Sequence, residues 1–180
     1  MAMTLITNSA DSDSTDLTSI DFTSGIDSTY KLYIFKFLDI NPGTQSNFGF
    51  QVNVDGASGY NETVTSTYFM AAHRENDGDP NLSYVTAKDQ AQGTAFNILA
   101  SDVGVASDES CAGTLWLFNP SNTTYVKHWY SRVHELNQGG DYAMDIFSAG
   151  YFNVTGAIDE IQFKMASDNF DGTIKMYGVG

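Results

Sequence analysis

The sequence predicts an all-β protein: a two-sheet antiparallel sandwich of jelly-roll type, with about nine or ten strands and little helix. Three observations lead there. Short runs of branched and aromatic residues recur along the whole chain, separated by clusters of Gly, Asn, Asp, Ser or Pro. Several runs alternate apolar and polar residues with the period of two that turns one side of a strand toward a core. No stretch reads as a helix of consequence, so the spacing does not suit a βαβ array. The chain has 180 residues and neither an internal repeat nor a break in composition. It reads as one domain over 1–180, able to bury roughly 70% of its unfolded surface without staples.

The elements follow in order. Thr4 to Thr7 is a short strand, and the polar tract after it lets residues 1–16 form an extended N-terminal arm. Leu17 to Phe22 alternates and stops at Ser24-Gly25. Tyr30 to Ile40 (YKLYIFKFLDI) is the densest β-segment, closed by Asn41-Pro42-Gly43. Asn47 to Val54 sets Phe48, Phe50, Val52 and Val54 on one face against Asn47, Gly49, Gln51 and Asn53, the pattern of a half-buried strand. Tyr60 to Ala72 continues as β, Arg74 to Asn81 is a loop, and Thr86 to Gln92 suits one short helical turn. Phe96 to Ala100 is a short strand, and 101–109 reads as loop. Gly113 to Phe118 and Thr123 to Val133 form a hairpin about Asn119-Pro120. Ile146 to Val154 follows the break at Gly139-Gly140. Ala157 to Met165 alternates with Asp159, Ile161, Phe163 and Met165 on one face, and Thr173 to Val179 is the last strand.

Charge narrows the function. With 22 acidic and 8 basic residues the net charge is -14, which repels phosphates and argues against a nucleic-acid partner. Six of the bases, Lys31, Lys36, Lys127, Arg132, Lys164 and Lys175, fall in expected strands, where lysines blunt sheet edges, while the acids gather in loops. Cys111, the one cysteine, has no internal partner and reads as a small buried residue. No apolar run of about 18 residues is present, and the opening lacks a basic, apolar leader. The expectation is a protein made in cytosol, with no membrane partner.

Catalytic patterns fail one by one. His134-Glu135 lacks the second histidine of a zinc helix. His128 and His134 are about 20 Å apart at ~3.3 Å per strand residue, too far to share a metal. No nucleophile elbow, Walker loop, dinucleotide fingerprint or Cys-His pairing occurs. Among Glu62, Glu75, Glu109, Glu135 and Glu160 no carboxylate pair stands out. The loops with Asp11, Asp13 and Thr15, and with Glu75, Asn76, Asp77 and Asp79, have oxygen ligands but not the full spacing of a calcium loop. The sequons at Asn61, Asn81, Asn122 and Asn153 carry no weight in a chain this rich in Asn, Ser and Thr. We expect no enzyme, no cofactor and no resident metal. Tyr125, Trp129 and Tyr130 are the candidate contact residues: exposed, they would stack on glycans or anchor an interface; buried, they would fill the core.

Two stretches carry a resemblance: CAGTLWLFNPSNTTYVKHWYSRVHE and AGYFNVTGAIDEIQFKMASDNFDGTIKMYGVG, with the opening SIDFTSGIDSTYKLYIFKF beside them. The chain is similar there to small structural virion proteins of aquatic tailed bacteriophages, with the closing DGTIKMYGV the most typical part. The resemblance covers most of the chain, residues 60–110 least. It implies a virion component, foremost an oligomeric capsid decoration protein. A trimer seated on the major capsid protein or another virion protein is favoured, and the family offers no catalytic residues. The alternative it allows is a carbohydrate- or receptor-binding knob of a tail fibre or spike.

Overall fold

Alternating burial runs along nearly every apolar segment, and the segments pair into two antiparallel sheets. A computed structural model describes residues 2–8, 17–137, 139 and 141–180, with twelve strands and no helix among them. They are β1 (Met3–Asn8), β2 (Ile20–Phe22), β3 (Leu32–Pro42), β4 (Ser46–Val54), β5 (Val64–Arg74) and β6 (Asn81–Tyr84), then β7 (Asn97–Val103), β8 (Cys111–Phe118), β9 (Lys127–Leu136), β10 (Tyr142–Phe152), β11 (Ile158–Met165) and β12 (Phe170–Val179). The larger sheet runs β1-β12-β3-β8-β9-β10-β5-β6 and the smaller β2-β11-β4-β7.

This order is a jelly roll with an extension. Setting β5, β6, β9 and β10 aside leaves eight strands that pair first with last, β1·β12, then β2·β11, β3·β8 and β4·β7. A chain folded in half and wrapped into two sheets gives that pattern. The four added strands continue the larger sheet outward from β8. Three of them, β5, β9 and β10, fall on expected strands, and only β6 lies where none was expected.

Aromatic rings fill the space between the sheets. Phe163 of β11 lies within 5.3–6.2 Å, centroid to centroid, of Phe22, Phe35, Phe37, Phe48 and Phe50. Phe50 continues the cluster to Trp129 and Phe152 of the extension. Two glycines make room. A Cβ at Gly150 would stand 2.9 Å from the Trp129 ring, and one at Gly172, whose φ is +118°, would meet the Asp39 carbonyl at 2.7 Å. The second glycine sits at the bulge that carries β12 past β3.

Several expectations change. Residues 86–88 form only a turn, closed by the Lys88 N–H on the Val85 carbonyl, in place of the helical turn over Thr86 to Gln92. β7 reaches Val103, so 101–109 is not wholly loop. β9 starts at Lys127 because the Asn122 side-chain oxygen accepts the N–H groups of Thr124 and Tyr125 and holds that stretch in a turn. A bulge at Asp159 moves Ile158 into the core in its place. β4 is covered on both faces, Gln51 and Asn53 included, so it is not half-buried. Lys31 precedes β3, and Lys127 blunts no edge: it is buried, donating to the carbonyls of Tyr125, Val154 and Thr155. Burial lowers its pKa.

Candidate interaction surface

Strand register decides which side chains share the outer face of the larger sheet. Across β1, β12, β3, β8, β9, β10 and β5 one row reads Leu5, Tyr177, Ile34, Trp116, Tyr130, Ala149 and Thr67. The next reads Lys175, Lys36, Thr114, Arg132, Phe147 and Phe69, and ends on Tyr84 of β6. Among the described residues nine large apolar side chains are exposed, and seven lie on this one face: Met3, Leu5, Leu38, Phe69, Leu82, Tyr84 and Tyr130. The seven are spread across the sheet from β1 to β6 and make this its candidate contact face.

Its rings stack in pairs. Trp116 and Tyr130, neighbours on adjacent strands, have centroids 4.6 Å apart and planes at 25°. Phe69 and Phe147 are 5.1 Å apart at 2°. Rings lying flat side by side cannot come so close, so each pair is offset-stacked across the strands. Arg132 lies 5.0 Å over the Phe147 ring while its guanidinium grips Asp145 at 2.7 and 3.0 Å. Lys36 and Lys175 sit directly opposite one another, a like-charge pair in a chain of net charge -14. All three histidines point outward from these strands as well.

The three residues singled out from sequence are not together. Tyr130 is on the apolar face, 43% exposed. Tyr125 is 70% exposed but lies in the loop before β9. Trp129 points the other way, 2% exposed, edge-on to Phe50 at 4.9 Å. Sequence reading did not identify Phe69, Phe147 or Tyr84 as contact residues. Their signal was alternation within strands, which needs the neighbouring strands before inside can be told from outside.

At the far end the extension overhangs the smaller sheet and leaves a groove of about 400 Å³, lined by Met70, Val85, Lys88, Ser101, Tyr142 and Met144 among others. Near it Glu135 lies fully buried beside Cys111 and Met144 in the register. Burial is the main cause that lifts its pKa to about 8; the charge of Asp102 adds, while the Ser101 backbone and Lys88 oppose. The acidic loop after β5 serves its own neighbours: Asp79 lies 3.3 Å from the Arg74 guanidinium and Asp77 lies 3.3 Å from the His73 imidazole. Among the described residues no three His, Cys, Asp or Glu side chains gather as metal ligands, and Asp11, Asp13 and Thr15 lie outside those residues. No protein-family model matches this chain, and no curated protein matches it.

Proposed function

We propose that the protein is a structural component of a virion, an oligomeric capsid decoration protein that packs the outer face of its larger sheet against the shell. One observation carries the reading: seven of nine exposed large apolar side chains share a single sheet face. The strands of that face also carry Lys36, Lys175 and Arg132, three of the chain's 8 basic residues. A broad apolar face with a few cations suits an extended contact with a less basic protein surface. The resemblance to phage structural proteins supplies the setting.

The stacked rings favour this reading over a glycan-binding knob. A sugar stacks on the open face of an aromatic ring; in the Trp116–Tyr130 and Phe69–Phe147 pairs each ring covers a face of its neighbour, and Arg132 lies over the Phe147 ring as well. The test is the copy number in purified particles of the phage that encodes the chain, with rebinding of recombinant protein to stripped shells. Hundreds of copies, and loss of rebinding in a Phe69→Ser, Tyr130→Ser variant that still folds, are expected. A handful of copies per particle would instead place the protein on the tail, and absence from particles would remove the reading altogether.

A further inference from the structure

The larger sheet ends on β1, which pairs with β12 on one side and with no strand among the described residues on the other. Its six residues, Met-Thr-Leu-Ile-Thr-Asn, contain no charge and no proline. The other sheet edges are shorter or interrupted. β6 has four residues and β2 three. β7 carries two register shifts, against one in β1 between Leu5 and Thr7 that leaves Met3 to Leu5 regular, and is flanked by Gln90, which donates to Asn97, and by the Val103–Asn137 bridge. Sheets normally protect an uncharged edge, since unpaired main-chain groups such as those of a regular stretch like Met3 to Leu5 template pairing with another chain.

The phase of the β1–β12 ladder fixes what that edge offers. The Gly180 N–H donates to the Ala2 carbonyl, and Thr4 stands opposite Gly178 in the same phase. Ala2 and Thr4 therefore turn their main-chain groups toward β12. Those of Met3 and Leu5 point off the sheet.

We propose that this edge is a self-association site, in which two copies pair their β1 strands antiparallel about a twofold axis at Thr4. Met3 then lies opposite Leu5 of the second copy, and all four outward groups of these residues are met in both chains. Thr4 faces its own counterpart, a favourable cross-strand pair. The same register prolongs the outer apolar rows, because Met3 and Leu5 share the face of Val179 and Tyr177. An edge that pairs with itself closes as a twofold, in place of the threefold that the resemblance favours. The net charge of each chain opposes association, but β1 contributes no charge, so added salt strengthens the pair. The inference rests on the edge alone and is independent of the virion reading.

Sedimentation equilibrium of the full chain tests it. The expected species has twice the 19.6 kDa chain mass, and more of it forms as salt rises. Leu5→Pro removes an outward N–H while leaving the bonds to β12, and should raise the dimer dissociation constant about tenfold or more. Thr4→Cys should cross-link two chains on oxidation, since the Cα atoms of a non-hydrogen-bonded pair approach to about 4.5 Å. The native Cys111 is buried and does not compete. A monomer at every concentration and salt, a trimer, a dimer indifferent to Leu5→Pro, or a Thr4→Cys variant that stays uncrosslinked would each overturn the proposal.

Discussion

On the outside of the smaller sheet, Gln51 shares its Nε2 among the carbonyls of Glu62, Thr94 and Ala95, Asn53 donates to Glu160 at 2.8 Å, and Gln162 donates to Asp21 at 2.6 Å. On the outside of the larger sheet, Trp116, Tyr130, Phe69 and Phe147 stack on one another in pairs. The first surface is finished from within the chain: its polar groups bond to each other and to the loops laid over them. The second has no such cover. Two sheets that share one aromatic core thus differ in what they leave undone on their backs, and the unfinished one is where a partner gains most by removing apolar area from water.

Four substitutions would break or sharpen this contrast, taken from the largest effect down. Trp129→Ala empties a core site and should cost about 3–5 kcal/mol in denaturant unfolding, whereas Tyr130→Ala, one residue on, should cost only about 1 kcal/mol. Equal costs would mean that the two faces of β9 are not distinct.

Glu135→Gln probes how well the inner face is sealed. The folded-state pKa of about 8 stands above the ordinary 4.5, so the native protein keeps a proton that the unfolded chain releases between those values. The stabilising effect of that proton is complete below pH 4.5 and falls by about 1.4 kcal/mol per pH unit as pH rises toward 8. Gln has no proton to lose. Thermal melts should show the variant gaining on the native protein as pH rises, and parallel curves would show that Glu135 meets water.

Gln51→Leu, the smallest in effect after Tyr130→Ala, leaves three loop carbonyls without their donor. It should lower stability by about 1–3 kcal/mol. A neutral result would mean that the loop cover on the smaller sheet holds without Gln51.

Much of the fold was legible because its signals are local. Alternation in Asn47 to Val54 and Ala157 to Met165, and the turn residues between runs, are enough to announce paired strands. What was lost depended on distant partners. β6 is only Asn-Leu-Ser-Tyr and becomes a strand by lying against β5. Gln51 looks solvent-facing until the segments at Glu62 and Thr94 fold over it. Of the contact surface, Tyr130 was visible and the face it belongs to was not. In β9 both parities carry aromatic rings, Trp129 on one and Tyr130 on the other, so the strand alone cannot say which is inside. Lys127 reads as a surface cation until its three carbonyl partners are in place.

The pairing of first strand with last has a consequence in time as well as in space. Synthesis delivers β3 early, and its neighbour β12 is the last of the twelve strands to leave the ribosome, yet β12 must slot between β1 and β3. Until it arrives, β1 has no strand to hold it and one flank of β3 stays open. Such a chain cannot complete its larger sheet until β12 has been made; long-range closure of this kind is slow and leaves strand edges exposed while it waits. The order of manufacture and the order of assembly run against each other, and the fold is finished only by its final ten-residue strand.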